Sequence, residues 1–173
     1  MKKYLVIGNP IEHSLSPKLH NYWFEKNDIN ANYGKRKIKR GEIKEVISEI
    51  KSNKLDGINV TVPFKSDVIP FLDALSEESK ITQSVNTIYV RDKKIVGHNT
   101  DIKGFELSLR ETQFDLKNKR IFILGAGGVV PSIIYALQKL GVSKIILSNR
   151  TKQRAEDLKK SFSNINVVDW GDQ

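Results

Sequence analysis

The stretch from Arg120 to Leu140 admits few folds. Arg120-Ile121-Phe122-Ile123-Leu124 is a short apolar run, Gly125-Ala126-Gly127-Gly128 holds three glycines, and Val129–Leu140 places Ile133, Ile134, Leu137 and Leu140 on one helical face. The pattern reads strand, tight turn, helix. Gly141 supplies a helix stop. Lys144–Ser148 is the next strand, Thr151 is placed to cap a second helix, and Asn166–Val168 begins a third strand. Strand and helix alternating in this order predict a parallel sheet. A complete doubly wound domain has two such halves, and these residues supply one. An exposed sheet edge and uncovered apolar surface are therefore expected.

The residues before Arg120 also alternate. Tyr4–Gly8 reads as a buried strand, and Ser16-Pro17 as an N-cap with proline at the first helical position, opening a helix to about Lys26. Asn32–Ile38 is a strand, and Glu42–Lys51 carries Ile43, Val46, Ile47 and Ile50 at helical spacing. Asp56-Gly57 leads into the β-branched strand Ile58–Val62, which ends at Pro63. Short helices are expected at Lys65–Leu72 and Ser76–Ile81. Val85–Val90 and Lys94–Gly97, joined by Arg91-Asp92-Lys93, form a hairpin, and Thr100 caps a helix over Asp101–Glu111. The fold class is α/β, with domains at 1–102 and 103–173 and the second resembling half of a Rossmann-type unit.

Charge and composition narrow the function. The 29 basic residues exceed the 20 acidic ones and give a net charge of +9. The lysines are dispersed, as at Lys39, Lys44, Lys51, Lys54, Lys117, Lys119, Lys159 and Lys160, with no basic run interleaved with aromatics. That argues against nucleic acid as a partner. No apolar run approaches the roughly 18 to 20 residues of a membrane span. The absence of cysteine excludes disulfides and thiolate chemistry and is compatible with the cytoplasm. His13, His20 and His98 lack ligand spacing, so no metal site is expected.

The glycine turn points to a dinucleotide. Glycines let backbone N–H groups approach a pyrophosphate at a helix N-terminus. Val130 stands at the sixth position of the motif, where a Gly or Ala is usual, so the helix–strand contact is expected to loosen. An NAD site places an acid about 20 residues further on, for the ribose hydroxyls. Here Asn149-Arg150-Thr151 stands instead, with Arg154 one helical turn on. A guanidinium grips a 2′-phosphate that a carboxylate would repel. Gly125, Ala126, Gly127, Gly128, Asn149, Arg150, Thr151 and Arg154 are the candidate NADP-binding residues.

Four polar strings in the first domain and at its end exceed what structure requires: Ser14-Leu15-Ser16, Asn59-Val60-Thr61 with Lys65, Ser84-Val85-Asn86-Thr87, and Asn99-Thr100-Asp101. Each alone reads as a cap, a bulge or a surface residue. Taken in order with Gly8-Asn9-Pro10, Pro17, Val62-Pro63, the glycine turn and Asn149-Arg150-Thr151, they resemble the shikimate dehydrogenase family over almost the whole chain. The resemblance implies reversible, NADPH-dependent reduction of 3-dehydroshikimate to shikimate, on the way to chorismate and the aromatic amino acids. It implies that Ser14 and Ser16 bind the substrate carboxylate and that Asn59, Thr61, Asn86 and Asp101 hold ring oxygens. Lys65 and Asp101 are then the catalytic pair. An ammonium beside a ketone stabilises the oxyanion and delivers a proton, and a carboxylate beside it orients the lysine.

Two departures qualify that resemblance. Val129-Val130-Pro131 replaces the small and basic residues that the family commonly carries there. Family chains also continue well beyond Gln173, so the resemblance implies a chain shortened at its C-terminus. Quinate/shikimate dehydrogenase of broader specificity and a non-catalytic ligand-binding fragment stand as alternatives. A homodimer is compatible with the sequence.

Overall fold

The computed structural model describes residues 1–171. It divides into two compact units, Met1–Asn99 and Thr100–Gln173. The first unit is built on a six-stranded sheet. Strands β1 (Lys2–Gly8), β2 (Ala31–Lys37) and β3 (Gly57–Val60) run parallel, with β1 in the middle. The hairpin of β5 (Thr87–Arg91) and β6 (Lys94–His98) joins antiparallel to β3, and β4 (Ala74–Leu75) closes the far edge beside β6.

Helix α2 (Ile43–Lys51) shows why this unit holds together. Ile43, Val46, Ile47 and Ile50 are all buried, on one stripe, against Leu5, Ile7, Ile58 and Val60 of the sheet. Each such side chain contributes about 1.5–3 kcal/mol by leaving water. The bidentate pair of Arg36 with Glu49, at 2.6 and 3.1 Å, ties β2 to this helix. The opposite face of the sheet presents Tyr4, Val6 and Tyr33, packed with Ile11 and Phe24. Helix α1 (Ser16–Lys26) lies there and buries no residue fully.

Three local expectations are corrected. The strand expected to reach Val62 stops at Val60, because Pro63 offers no N–H for pairing. A turn closed by Phe64 N–H to the Thr61 carbonyl follows at once. The helix expected at Lys65–Leu72 is absent; turns lead into one 3₁₀ turn, Ile69–Phe71. Pro70 removes a helical donor, and Phe64 and Val68 are drawn into the core instead. Ser16 is the first residue of α1, not its cap: Leu15 holds the cap position and Ser14 Oγ accepts the Ser16 N–H at 3.3 Å. By contrast Ser76 caps α3 (Glu77–Thr82), its hydroxyl accepting from Ser79 N–H at 3.2 Å.

The second unit begins with α4 (Asp101–Glu111) and continues β7 (Arg120–Leu124), α5 (Val130–Lys139), β8 (Lys144–Ser148), α6 (Lys152–Ser161) and β9 (Ile165–Val168). The three strands form the expected parallel sheet in the order β7-β8-β9. Ile134, Leu137, Ile145, Leu147 and Ala155 fill its core. Val130 joins that core at 6% exposure, so it is accommodated between helix and sheet. On β7, Phe122 and Leu124 are 47% and 58% exposed. Among the described residues no helix is long and apolar enough to cross a membrane.

Candidate functional site

The polar strings of the first unit gather at one end of its sheet. Gly8 ends β1, Val60 ends β3, and Asn86 precedes β5, whose antiparallel course starts at that same end. Open α/β sheets bind ligands there, beyond the carboxyl ends of their parallel strands. Two loops lie close: Asn9 N–H donates to the Val62 carbonyl at 3.0 Å, and Thr61 N–H to that of Ile7 at 2.9 Å. A Cβ on Gly8 would stand 2.5 Å from Thr61 Cγ2, so only glycine allows this approach. Both Asn9-Pro10 and Val62-Pro63 are cis. Beside these loops lies a cavity of about 240 Å³ lined by Val6, Pro10, Ile11, His13, Ser14, Ser16 and Thr61. Two hydroxyls expected to meet a carboxylate thus share a cavity with the threonine expected to meet a ring oxygen.

Glu12 braces this loop. One of its oxygens accepts Ile11 N–H at 2.9 Å, the other accepts Lys37 Nζ at 2.8 Å, and its carbonyl accepts Lys35 Nζ. The Lys37 ammonium, then the N–H groups of Glu12 and Ile11, bring its carboxyl down to about 2. Beside the cavity Asn59 forms a second fixed point. Its Nδ2 donates to the Asn86 carbonyl at 3.1 Å and to Thr87 Oγ1 at 3.0 Å, while its Oδ1 accepts the Tyr33 hydroxyl at 2.6 Å. With both amide hydrogens engaged, Asn59 offers a ligand only an acceptor lone pair.

Lys65 is half-buried, and its carbonyl accepts Val85 N–H at 2.8 Å, joining its loop to the segment before Asn86. Ser84 and Asn99, prominent in the sequence strings, serve as scaffold: Asn99 is buried and donates to the Ser84 carbonyl at 3.0 Å and to Thr82 Oγ1 at 3.3 Å. Asp101, in the second unit, is the first residue of α4, where the helix dipole favours a carboxylate. A wider hollow of about 440 Å³, lined by Ile50, Lys51, Asn53, Asp73, Val90, Lys93 and Ile95, contains none of the expected residues.

In the second unit Gly125 follows β7 with φ +104°, a conformation open to glycine. Its N–H donates to the Ser148 carbonyl at 2.8 Å. Asn149 Oδ1 accepts the Ala126 N–H at 2.9 Å while Nδ2 donates to the Thr151 carbonyl at 2.7 Å, so Asn149 locks the glycine turn to the end of β8. A Cβ on Gly127 or Gly128 would meet nothing within 4 Å, which leaves room for a phosphate against the backbone. Arg150, Thr151 and Arg154 are exposed at the end of β8 and start of α6. Among the described residues neither arginine forms an ion pair. The nearby acid, Asp169, is held by Lys152 at 2.5 Å. A donor set without a free carboxylate suits a dinucleotide bearing a 2′-phosphate.

Tyr33, Asn21 and Glu12 were not signalled by the sequence. Tyr33 reads as an ordinary strand aromatic, and the other two as surface residues of a helix and a loop.

An α/β unit followed by a Rossmann-type unit with a glycine turn is a build that nicotinamide-linked oxidoreductases share. Comparison with known families narrows it: residues 6–88 match the shikimate dehydrogenase substrate binding domain, and residues 106–170 match shikimate / quinate 5-dehydrogenase. The chain belongs to the shikimate dehydrogenase family. It is 59% identical over 171 residues to a shikimate dehydrogenase (NADP(+)) of Pelagibacter ubique, covering 99% of this chain and 64% of that protein. The crystal structure of shikimate dehydrogenase from Aquifex aeolicus superposes with a TM-score of 0.91 at 42% identity, over 97% of this chain and 62% of that one. The Thermus thermophilus enzyme, solved with NADP(H) and shikimate, gives 0.87 at 30% identity, over 97% and 63%. The chain spans slightly less than two thirds of the length of these relatives.

Proposed function

We propose that this chain serves an NADP-dependent shikimate dehydrogenase, which interconverts 3-dehydroshikimate and shikimate. Residues 1–102 then form the substrate domain and 103–173 the cofactor domain. One observation carries the reading: Ser14, Ser16 and Thr61 line a single cavity at the sheet end where Asn59 and Asn86 are hydrogen-bonded together. That cavity stands in a chain 59% identical to a curated shikimate dehydrogenase (NADP(+)).

Ser14 and Ser16 receive the carboxylate. Thr61, Asn86 and Asp101 hold ring hydroxyls, and Asn59 accepts a hydrogen bond from one. Gly125–Gly128 take the pyrophosphate, with Ala126 N–H held back by Asn149, while Arg150, Thr151 and Arg154 take the 2′-phosphate. The bound nicotinamide supplies a hydride to the carbonyl carbon. Lys65 Nζ stabilises the growing charge on the carbonyl oxygen and gives it a proton; in reverse it takes the proton from the hydroxyl. Asp101 orients the lysine and the hydroxyl. The setting is the cytoplasm, the ligands are small molecules rather than nucleic acid, and a homodimer is compatible with the reading.

The test is steady-state absorbance of NADPH with shikimate and NADP, for the chain and for Lys65→Ala. Turnover that falls by about 10²-fold or more in the variant supports the assignment. Turnover indifferent to Lys65 refutes the catalytic role. A folded chain that binds shikimate without turnover restricts these residues to ligand binding.

A further inference from the structure

Tyr33 is a buried polar group that this chemistry does not use. It is 4% exposed on β2 and is fixed from two sides. Asn21 of α1 brackets its backbone, donating Nδ2 to the Tyr33 carbonyl and accepting the Tyr33 N–H, both at 2.9 Å. His20 stacks on its ring at 4.2 Å with 13° between planes. Its hydroxyl meets Asn59 Oδ1 at 2.6 Å. Burial raises the phenol above its ordinary value, so it remains a donor through neutral pH.

The network leaves the Asn59 amide one orientation. The Asn86 carbonyl accepts only, and must face Nδ2. Thr87 directs its hydroxyl hydrogen to Asn86 Oδ1 at 3.0 Å, so it too meets Asn59 as an acceptor. A flipped amide would set oxygen against both. Tyr33 supplies the complementary donor on the remaining side. What is left of Asn59 is one lone pair on Oδ1, which recognises a hydroxyl that donates and has nothing for a ring lacking one.

We infer that Tyr33 is a positioning residue: through its hydroxyl it holds Asn59 Oδ1 as a fixed acceptor for a substrate ring hydroxyl, and so favours a hydroxylated ring over a bare carboxylate ring. The inference rests on the proposed substrate reading. Loss of the phenol oxygen removes the contact that fixes Oδ1, so the amide, still tethered through Nδ2, tilts away from the ligand-competent direction. The apparent affinity then falls by the fraction of time that the competent orientation is lost.

The experiment follows amide chemical shifts of the chain and of Tyr33→Phe during titration with shikimate and with cyclohex-1-ene-1-carboxylate, which shares the carboxylate but not the hydroxyls. Shikimate affinity is expected to fall about three- to tenfold in the variant, with that of the bare carboxylate unchanged. Should Tyr33→Phe not fold, Thr87→Val, which removes an acceptor for Nδ2, is expected to show the same ligand-selective loss. Unchanged shikimate affinity, or equal loss for both ligands, overturns the positioning role while leaving the substrate reading intact. Failure of the unaltered chain to bind shikimate overturns both.

Discussion

Glu106 of α4 is buried to 3% exposure, and its partners come from outside the core: Lys139, the last residue of α5, lies 3.0 Å from Oε1, and Lys103 lies 3.6 Å from Oε2. Lys139 meets Oε1 as an ion pair, and among the described residues no geometric hydrogen bond reaches that oxygen. Burial pushes the carboxyl up, and the two ammonium groups outweigh it, so it rests below the usual carboxylate range. At an effective dielectric of about 20 the Lys139 contact is worth about 5 kcal/mol of gross attraction, most of it cancelled by the desolvation of the carboxylate. The cancellation makes single and double substitutions diverge. Lys139→Met removes the attraction and keeps the buried charge. With Lys103 and entering water compensating in part, the cost is about 2 kcal/mol at pH 7.

Glu106→Leu instead removes the charge and returns two largely exposed lysines to water, at about 1 kcal/mol or less, and the double variant is close to neutral. The sign with pH follows. A carboxyl with a depressed folded value stabilises above its unfolded value and loses that contribution as pH falls through the folded one. In Lys139→Met the carboxyl moves up, takes its proton more readily as pH falls, and the penalty shrinks. Urea unfolding at pH 7 and pH 4, read from Trp170 in a Trp23→Phe background, measures each quantity. A Glu106→Leu cost equal to or above that of Lys139→Met, or a double variant as unstable as Lys139→Met, refutes the reasoning.

Three further substitutions have defined outcomes. Gly97→Ala places a Cβ 2.5 Å from Leu72 Cδ1 and 2.9 Å from both Leu75 Cδ2 and Val85 Cγ2; overpacking of this kind costs about 1–3 kcal/mol, measured as a lower urea midpoint. Arg150→Ala and Arg154→Ala are expected to weaken NADP about tenfold each, the worth of a charge-assisted hydrogen bond, and to leave NAD affinity unchanged; equal loss for both dinucleotides in a titration contradicts their assignment to the 2′-phosphate.

What the sequence could carry was local. The stripe of Ile43, Val46, Ile47 and Ile50 and the run from Arg120 to Gly141 specify their elements within a few turns of chain, and both formed as read. Lys65–Leu72 misled because its apolar spacing suits a helix, while Pro70 and the burial of Phe64 and Val68 favour turns instead. The polar strings were conspicuous because hydroxyls and amides clustered at element ends. Their division of labour was not. Ser84 and Asn99 become scaffold only once Asn99 is buried against the loop carrying Ser84. The Tyr33–Asn59 contact joins residues 26 positions apart through the adjacency of β2, β1 and β3, which no local pattern encodes.

The most direct measurement is calorimetric titration of shikimate into the chain as it stands. Saturable binding at one site per chain is the expected result, since the cavity bounded by Ser14, Ser16 and Thr61 and the Asn59 network lie wholly within Met1–Asn99. A folded chain giving no heat and no saturation at millimolar shikimate would contradict the assignment of that cavity to the substrate.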